Sequence, residues 1–233
     1  DDADLAVAVN CAVMGSFYST GQRCTASSRL IVTAGIHDRF VAAVVENLKQ
    51  LTVDDARRPG TDIGPVVDER QLAVDLDYIR IAQAEGATLA CGGRRLTDGA
   101  LARGYFVEPT VFTGVDNRMR IAQEEVFGPI LAVMKSSSFQ DALTLANSTA
   151  YALTGGVYSR SPANLELARQ QFDVGNLYLN RPITGALVGR QPFGGHRLSG
   201  VGAKAGGEEY LTQFVVARVV SEQTLRRGFA PPE

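Results

Sequence analysis

Between residues 29 and 179, short runs of β-branched and aromatic residues alternate with longer segments in which apolar residues recur every three or four positions. The first pattern is typical of buried strands, and the second is typical of helices that bury one face. Strands that are joined through helices run parallel, because the connecting helix carries the chain back to the same end of the sheet. The sequence therefore predicts an α/β fold of three layers, in which helices flank a mostly parallel sheet.

The apolar spacing predicts where the helices lie, and the β-prone runs predict the strands. Asp4 is placed to cap the first helix. Because proline cannot donate a ladder hydrogen bond, Pro109 predicts that its strand lies at an edge or is irregular. The expected helices cover residues 5–17, 37–51, 69–85, 139–147 and 164–172, and the expected strands cover residues 29–32, 88–91, 106–112, 130–134, 156–158 and 176–179.

The last part of the chain has a different character. Glycines crowd residues 185–207, which predicts a loop-rich segment, and residues 210–220 are then β-prone. A strand that follows so much loop is expected to leave the main core and to add to the sheet of another subunit, since exposed edge strands tend to be covered. We therefore divide the chain into one domain over residues 1–207 and an oligomerisation strand with its tail over residues 208–233.

Charge and composition narrow the classes of partner. The 233 residues carry a formal net charge of −2, and no basic run exceeds two residues, as at Arg57-Arg58, Arg94-Arg95 and Arg226-Arg227. Such a chain gives no indication of nucleic-acid binding. No apolar run approaches the roughly 18–20 residues of a membrane helix, and the acidic start does not resemble a signal peptide. We expect a cytoplasmic protein without nucleic-acid or membrane partners.

The cysteines and histidines argue against a disulfide framework and a metal site. The chain has three cysteines and two histidines, widely spaced. No CxxC pair offers zinc ligands. Cys11 and Cys91 lie in apolar periodic segments and are interpreted as packing residues.

Cys24 differs, because it follows a small polar turn and has Arg23 beside it and Arg29 close by. Neighbouring positive charge lowers the pKa of a thiol, and the thiolate is the nucleophilic form. On spacing alone, however, an ordinary small buried residue is the better interpretation.

Three segments of the sequence favour a catalytic role for Cys24 over a packing role. They are residues 21–26 (Gly-Gln-Arg-Cys-Thr-Ala), residues 124–129 (Glu-Glu-Val-Phe-Gly-Pro) and residues 192–195 (Pro-Phe-Gly-Gly). In order and spacing they closely resemble the signatures of the aldehyde dehydrogenase superfamily, and the resemblance covers nearly the whole chain. It implies that residues 1–207 are the nucleophile-bearing catalytic domain of such an enzyme.

The resemblance also implies roles for individual residues. Cys24 attacks the aldehyde carbonyl to give a thiohemiacetal, hydride leaves to the nicotinamide of NAD (or NADP), and the resulting thioester is hydrolysed. The backbone N–H of Cys24 supplies one oxyanion donor. Glu125 matches the glutamate that binds the nicotinamide ribose, Phe127 matches an aromatic residue packed beside the nicotinamide, and Gln71 matches a further cofactor contact.

The expected substrate is a short aldehyde with a distal carboxylate. Residues 184–211 resemble the 1-pyrroline-5-carboxylate dehydrogenases, which oxidise glutamate γ-semialdehyde to glutamate in proline catabolism. In that group a loop that matches Gly185 and Ala186 binds the substrate carboxylate, and the residue that matches Thr25 helps to bind the same group. Phe193 is expected to form a hydrophobic wall of the substrate pocket. Residues 19–32 and 61–67 instead resemble the 2-oxoglutarate semialdehyde dehydrogenases, which keeps that substrate as the alternative.

Other parts of such an enzyme are missing from the chain. The family's general-base glutamate, its oxyanion asparagine and its cofactor-binding domain lie earlier in sequence, and no strand–GxGxxG–helix unit occurs. We expect that the chain is an excised fragment and that it is inactive alone. We also expect that the enzyme forms a homo-oligomer. The alternatives from other classes are a cysteine hydrolase or esterase that uses Cys24, with His196 as a conceivable partner, and an assembly module.

Overall fold

The centre of the fold is a four-stranded mixed sheet. The structure, a computed structural model, describes residues 1–224. The strand order is β1-β4-β3-β2, with β1 and β3 parallel to β4 and with β2 antiparallel to β3. The mostly parallel α/β arrangement predicted from the sequence is confirmed. The strands are β1 (Arg29–Thr33), β2 (Thr88–Cys91), β3 (Thr110–Thr113) and β4 (Ile130–Ser136).

Helices cover both faces of this sheet, because the central strand β4 sends alternate side chains to opposite sides. Leu131 and Val133 pack with the first two helices, while Ala132 and Met134 pack with the third. Three layers result, as predicted. The helices are α1 (Leu5–Phe17), α2 (His37–Leu48), α3 (Glu69–Ala84), α4 (Arg120–Gln123), α5 (Phe139–Asn147) and α6 (Pro162–Gln171).

A smaller parallel pair lies beyond the main sheet. Strand β6 (Thr154–Val157) pairs with β7 (Asn176–Leu179), and α6 connects them. Two short strands, β5 (Tyr151–Ala152) and β8 (His196–Arg197), form a separate antiparallel pair. A cavity of about 690 Å³ is lined by both β1 and β6. In the described chain each of these strands pairs on one side only, so two unpaired parallel edges border the same cavity.

The predicted helices and strands are present, with ends shifted by a few residues. Asp4 caps α1 by accepting from the backbone N–H of Val7 at 3.1 Å. The edge position expected from Pro109 is wrong, because β3 lies inside the sheet between β4 and β2. The irregularity expected there is present: β3 begins only at Thr110, and its register against β2 shifts between Leu89 and Cys91. Because Pro109 immediately precedes the strand, its missing N–H interrupts no ladder bond. The short elements α4, β5 and β8 were not predicted, since two to four residues carry no measurable periodicity.

The predicted late strand takes a different form in the single chain. Glu208–Phe214 form a 3₁₀-helix, and residues 215–224 join no sheet in the part of the chain described. Val216 and Val219 are 95% and 88% exposed. The β-prone segment therefore does not form the predicted strand within the described part of one chain. Residues 225–233 of the predicted tail lie outside the described residues.

Helix α3 carries a buried carboxyl group. Asp75 is 0% exposed, its Oδ1 accepts from Gln71 Nε2 at 2.8 Å, and its Oδ2 has no hydrogen-bond partner among residues 1–224. Burial raises the pKa of Asp75 to about 7, and the Gln71 bond opposes that rise only in part. The carboxyl packs directly on Gly128, where an added Cβ would overlap it.

This carboxyl predicts a pH-dependent loss of stability. From pH 4 to 7 the unfolded state releases the Asp75 proton while the folded state keeps it, so the free energy of unfolding falls as the pH rises. The pKa rise corresponds to at most about 4 kcal/mol. We expect Asp75→Asn to flatten the decline across this range, as measured by urea unfolding at several pH values. Asp77→Asn, on the exposed side of the same helix, is the matched control. An Asp75→Asn slope equal to the wild-type slope would contradict the assignment.

Candidate active site

The turn that carries Cys24 is built by a left-handed backbone. Helix α1 ends at Phe17, and Ser19, Thr20 and Gly21 follow with φ values of 56°, 59° and 67°. Glycine is required at position 21, because an added Cβ would overlap the carbonyl oxygen of Gly128. The backbone before the cysteine therefore lies directly against the backbone that follows the Glu-Glu-Val-Phe segment.

Cys24 itself is exposed at the tip of this turn. The N–H of Ala26 donates to the carbonyl of Arg23 at 2.9 Å and closes a tight turn around the cysteine. The N–H of Ser27 donates to the carbonyl of Gly15 at 3.0 Å and ties the turn to α1. An accessible thiol on an anchored turn meets the first requirement for a nucleophile, namely reach to a substrate.

Arg23 and Arg29, which the sequence places near the Cys24 thiol, donate hydrogen bonds to backbone carbonyls. Arg23 Nη2 donates to the carbonyls of Met14 and Gly15 at 2.9 and 3.1 Å, at the end of α1. Arg29 Nη2 donates to Leu145 O at 2.9 Å, at the end of α5, and burial lowers its pKa. Both guanidinium groups therefore stabilise helix ends, where orphan carbonyls need donors.

Glu125 and Phe127 lie beside Cys24. Glu125 and Cys24 both line the 690 Å³ cavity and a second cavity of about 60 Å³, which Phe127 also lines. Between them, Val126 points inward and is 4% exposed. Phe127 is 38% exposed and adopts φ of 60°, a left-handed conformation that is uncommon for a bulky residue. The local backbone thus leaves a carboxylate and an aromatic ring exposed, and both residues line a cavity that Cys24 also lines.

Gln71 supports that segment from behind. Its Nε2 donates to Asp75 Oδ1 at 2.8 Å and to the carbonyl of Val126 at 3.0 Å. Both amide N–H groups are therefore used within the protein, and Oε1 is the atom that remains for the predicted cofactor contact. The direction of this side chain could not be read from the sequence.

The predicted substrate-binding residues, unlike Glu125 and Phe127, do not share a cavity with Cys24 in the described chain. Thr25, Ala186 and Phe193 are half-buried, Gly185 is exposed with φ of 82°, and none of the four lines the two cavities beside Cys24 in the described chain. The segment instead sends Ile183, Leu198 and Ser199 to the larger cavity. Those three were missed, although each lies next to the glycine-rich motifs.

The His196 side chain contacts a carboxylate. Its Nε2 contacts Asp173 Oδ1 at 2.7 Å, and Arg197 Nη2 contacts the other oxygen of the same carboxylate. His196 lines neither cavity beside Cys24 among the described residues. This arrangement gives no support to a Cys24–His196 hydrolase dyad.

Residues 1–224 contain no helix that combines the length and apolar character needed to cross a bilayer. The same residues contain no cluster of three or more His, Cys, Asp or Glu side chains arranged to hold a metal ion.

An exposed cysteine on a turn, set against a Glu-Val-Phe segment on a mostly parallel α/β sheet, is the arrangement that the aldehyde dehydrogenase signatures predicted. The chain belongs to the aldehyde dehydrogenase family, whose model matches residues 1–220.

Particular relatives narrow this further. The 1-pyrroline-5-carboxylate dehydrogenase of Geobacillus kaustophilus is 46% identical over 221 residues, which cover 95% of this chain and 42% of that protein. The chain therefore spans about two fifths of the length of such relatives. The crystal structure of 1-pyrroline-5-carboxylate dehydrogenase from Thermus with bound NAD superposes with a TM-score of 0.86 at 48% identity, over 91% of this chain and 40% of that one. Proline utilization A from Bdellovibrio bacteriovorus gives a TM-score of 0.88 at 45% identity, over 99% of this chain and 24% of that one.

The contact between Gly21 and Gly128 predicts that alanine at position 21 damages the site. Gly21→Ala should lower the free energy of unfolding by more than the roughly 1–2 kcal/mol that a left-handed backbone costs an alanine. It should also reduce kcat/KM of the full-length enzyme roughly 100-fold, the loss typical of an ångström-scale misplacement. Chemical denaturation and steady-state assays measure the two effects.

Gly60→Ala is the matched control for this prediction. Gly60 has φ of 83°, and nothing lies within 4 Å of an added Cβ, so only backbone strain is introduced. Equal losses for the two variants would show that the approach to Gly128 is not what matters.

Proposed function

We propose that the full-length protein that contains this chain oxidises glutamate γ-semialdehyde to glutamate with NAD as the hydride acceptor. The observation that carries this proposal is the exposed Cys24, which shares both cavities with Glu125. The 46% identity to a 1-pyrroline-5-carboxylate dehydrogenase supports the choice of substrate.

Cys24 acts as the nucleophile in this proposal. Its sulfur forms a bond to the aldehyde carbon, and the carbonyl oxygen takes up the negative charge. The backbone N–H of Cys24 has no acceptor among the described residues, so it is free to donate to that oxygen. Such a preorganised donor stabilises the charge that develops in the transition state.

The residues beside Cys24 fit one end of a dinucleotide. A carboxylate only accepts hydrogen bonds, so Glu125 suits the two hydroxyls of a ribose, and the exposed ring of Phe127 suits a flat apolar partner. NAD held here would supply the hydride acceptor for the thiohemiacetal carbon. Glu125 would hold the ribose and Phe127 would contact the nicotinamide ring, while Gln71 fixes the backbone between them through Val126 O.

The cycle closes with hydrolysis of a thioester on Cys24. Water attacks the acyl carbon, the C–S bond breaks, and the carboxylic acid leaves while the thiol is restored. The general base for the water is supplied by a part of the protein outside residues 1–233 in this proposal. Gly185, Ala186 and Thr25 are proposed to bind the substrate carboxylate, and Phe193 is proposed to form an apolar wall.

The need for further segments has a structural basis. The unpaired edges of β1 and β6 border one cavity of about 690 Å³, and an edge strand with free N–H and C=O groups normally finds a partner. We therefore infer that residues 1–233 alone are inactive and that the longer protein completes the fold, the general base and the cofactor-binding domain.

The exposed late segment supports a homo-oligomer. Leu211, Phe214, Val216 and Val219 are exposed, and residues 215–221 pair with no strand of the described chain. A run of this kind is suited to add to the sheet of a second copy. In this proposal residues 208–233 form the association element of the assembled enzyme.

Substrate choice and nucleophile are tested together by steady-state assays of the full-length protein with NAD. We expect higher kcat/KM for glutamate γ-semialdehyde than for 2-oxoglutarate semialdehyde, and a loss of roughly 1,000-fold or more for Cys24→Ser, because the nucleophile is removed. Cys91→Ser, at a half-buried cysteine whose pKa burial raises, is the matched control.

Three results would contradict the proposal. They are a preference for 2-oxoglutarate semialdehyde, an active Cys24→Ser variant, and ester hydrolysis without aldehyde oxidation. Normal turnover by residues 1–233 alone would contradict the inferred need for further segments.

Association is tested by placing charge on the late segment. Val216→Asp combined with Val219→Asp should shift the full-length protein to a smaller species in size-exclusion chromatography, because charged residues oppose edge pairing. Val67→Asp, at another exposed valine, serves as the control. An unchanged elution volume for the double variant would show that this segment is not the interface.

A further inference from the structure

The Phe-Gly-Gly turn is held from two sides by hydrogen bonds. On one side, Asn176 Nδ2 donates to Pro192 O at 2.9 Å, and Asn176 Oδ1 accepts from Gly194 N at 3.2 Å. On the other side, Phe193 and Ala205 exchange two backbone hydrogen bonds of 2.9 Å. The turn is therefore fixed by β7 and by the segment that follows residue 203.

Lys204 adds a charged group to this clamp. Its Nζ donates to Gly194 O at 2.5 Å and to Gly175 O at 2.6 Å. The side chain is partly buried, and this burial lowers its pKa. No carboxylate of residues 1–224 forms an ion pair with it. Lys204 thus places a positive charge, balanced only by carbonyl dipoles, behind the turn.

The residues after Lys204 also support the loop that precedes the turn. A Cβ added to Gly206 would lie 3.3 Å from Val188 Cγ1, and one added to Gly207 would lie 3.3 Å from Pro192 Cβ. Gly206 and Gly207 therefore lie against the two ends of the segment 188–192. A change at Lys204 is thus expected to act on the segment that contains Gly185, Ala186 and Phe193, three of the proposed substrate residues.

We propose that Lys204 is a specificity-determining positioning residue, which fixes the Gly194 carbonyl and supplies the positive charge that favours an aldehyde carrying a carboxylate. This inference rests on the proposed function, because it names the group that distinguishes an anionic substrate from a neutral one. A cation without a counter-ion in a partly buried position attracts an anion more strongly than a surface pair does, since solvent screens it less.

The test uses two aldehydes that differ only in a carboxylate, glutarate semialdehyde and pentanal, with the full-length enzyme and NAD. The measured quantity is the ratio of kcat/KM for the anionic aldehyde to kcat/KM for the neutral one. Lys204→Met should lower this ratio about tenfold, mainly through a higher KM for glutarate semialdehyde, while kcat with pentanal is retained within about twofold. Lys135→Met, at an exposed lysine on β4, should leave the ratio unchanged.

Two conservative variants separate charge from hydrogen bonding. Lys204→Arg keeps the charge and should keep most of the ratio, whereas Lys204→Gln keeps N–H donors without charge and should lose it. If Lys204→Met does not fold, these two variants decide the question alone. A Lys204→Gln enzyme with the wild-type ratio would overturn the proposal, as would equal falls in kcat/KM for both aldehydes. A wild-type enzyme that does not prefer glutarate semialdehyde would instead contradict the proposed function.

Discussion

The close approach of two backbones, at Gly21 and Gly128, is the constraint on which the candidate site depends. Any side chain at position 21 would overlap the Gly128 carbonyl, and any side chain at position 128 would overlap the carboxyl of Asp75. The approach brings the turn of Cys24 against the turn of Glu125 and Phe127, which are about one hundred residues apart in sequence. Gln71 completes the arrangement from α3, because its amide joins Asp75 to the carbonyl of Val126. The proposed nucleophile and the proposed ribose-binding carboxylate are therefore positioned by packing that neither of them forms itself.

Much of this fold follows from periodicity, and the failures have local physical causes. The helices were predictable because apolar spacing reports the buried face directly, as in α1 with its cap at Asp4. The edge position predicted from Pro109 was wrong, because proline is excluded from the hydrogen-bonded ladder but can stand immediately before the first residue of a strand. The arginines near Cys24 misled in another way: closeness in sequence does not determine where a long side chain points, and both donate to helix ends. Contacts such as Gln71 to Val126 and Lys204 to Gly194 join distant segments, which no single-sequence pattern encodes.

The chain presents one side of the proposed active site. Cys24 and Glu125 line both cavities, and Phe127 lines the smaller one. Beside the larger cavity, however, one edge of β1 and one edge of β6 are unpaired within residues 1–224. The lengths of the relatives agree with this, since the match covers only 42% of the Geobacillus enzyme. The proposed division of labour places the nucleophile and part of the ribose contact in this chain and the general base elsewhere. Substrate specificity is proposed to depend on the glycine-rich loop, whose later turn accepts hydrogen bonds from Asn176 and Lys204.

The central claim is that the Cys24 sulfur carries the acyl group during oxidation. It is tested most directly by mixing the full-length enzyme with glutamate γ-semialdehyde and NAD, quenching in acid, digesting with pepsin and locating the thioester by mass spectrometry. The account predicts a glutamyl group on peptides that contain Cys24, and only when NAD is present. An acyl group on Cys11 or Cys91, or turnover with an unmodified Cys24, would contradict it.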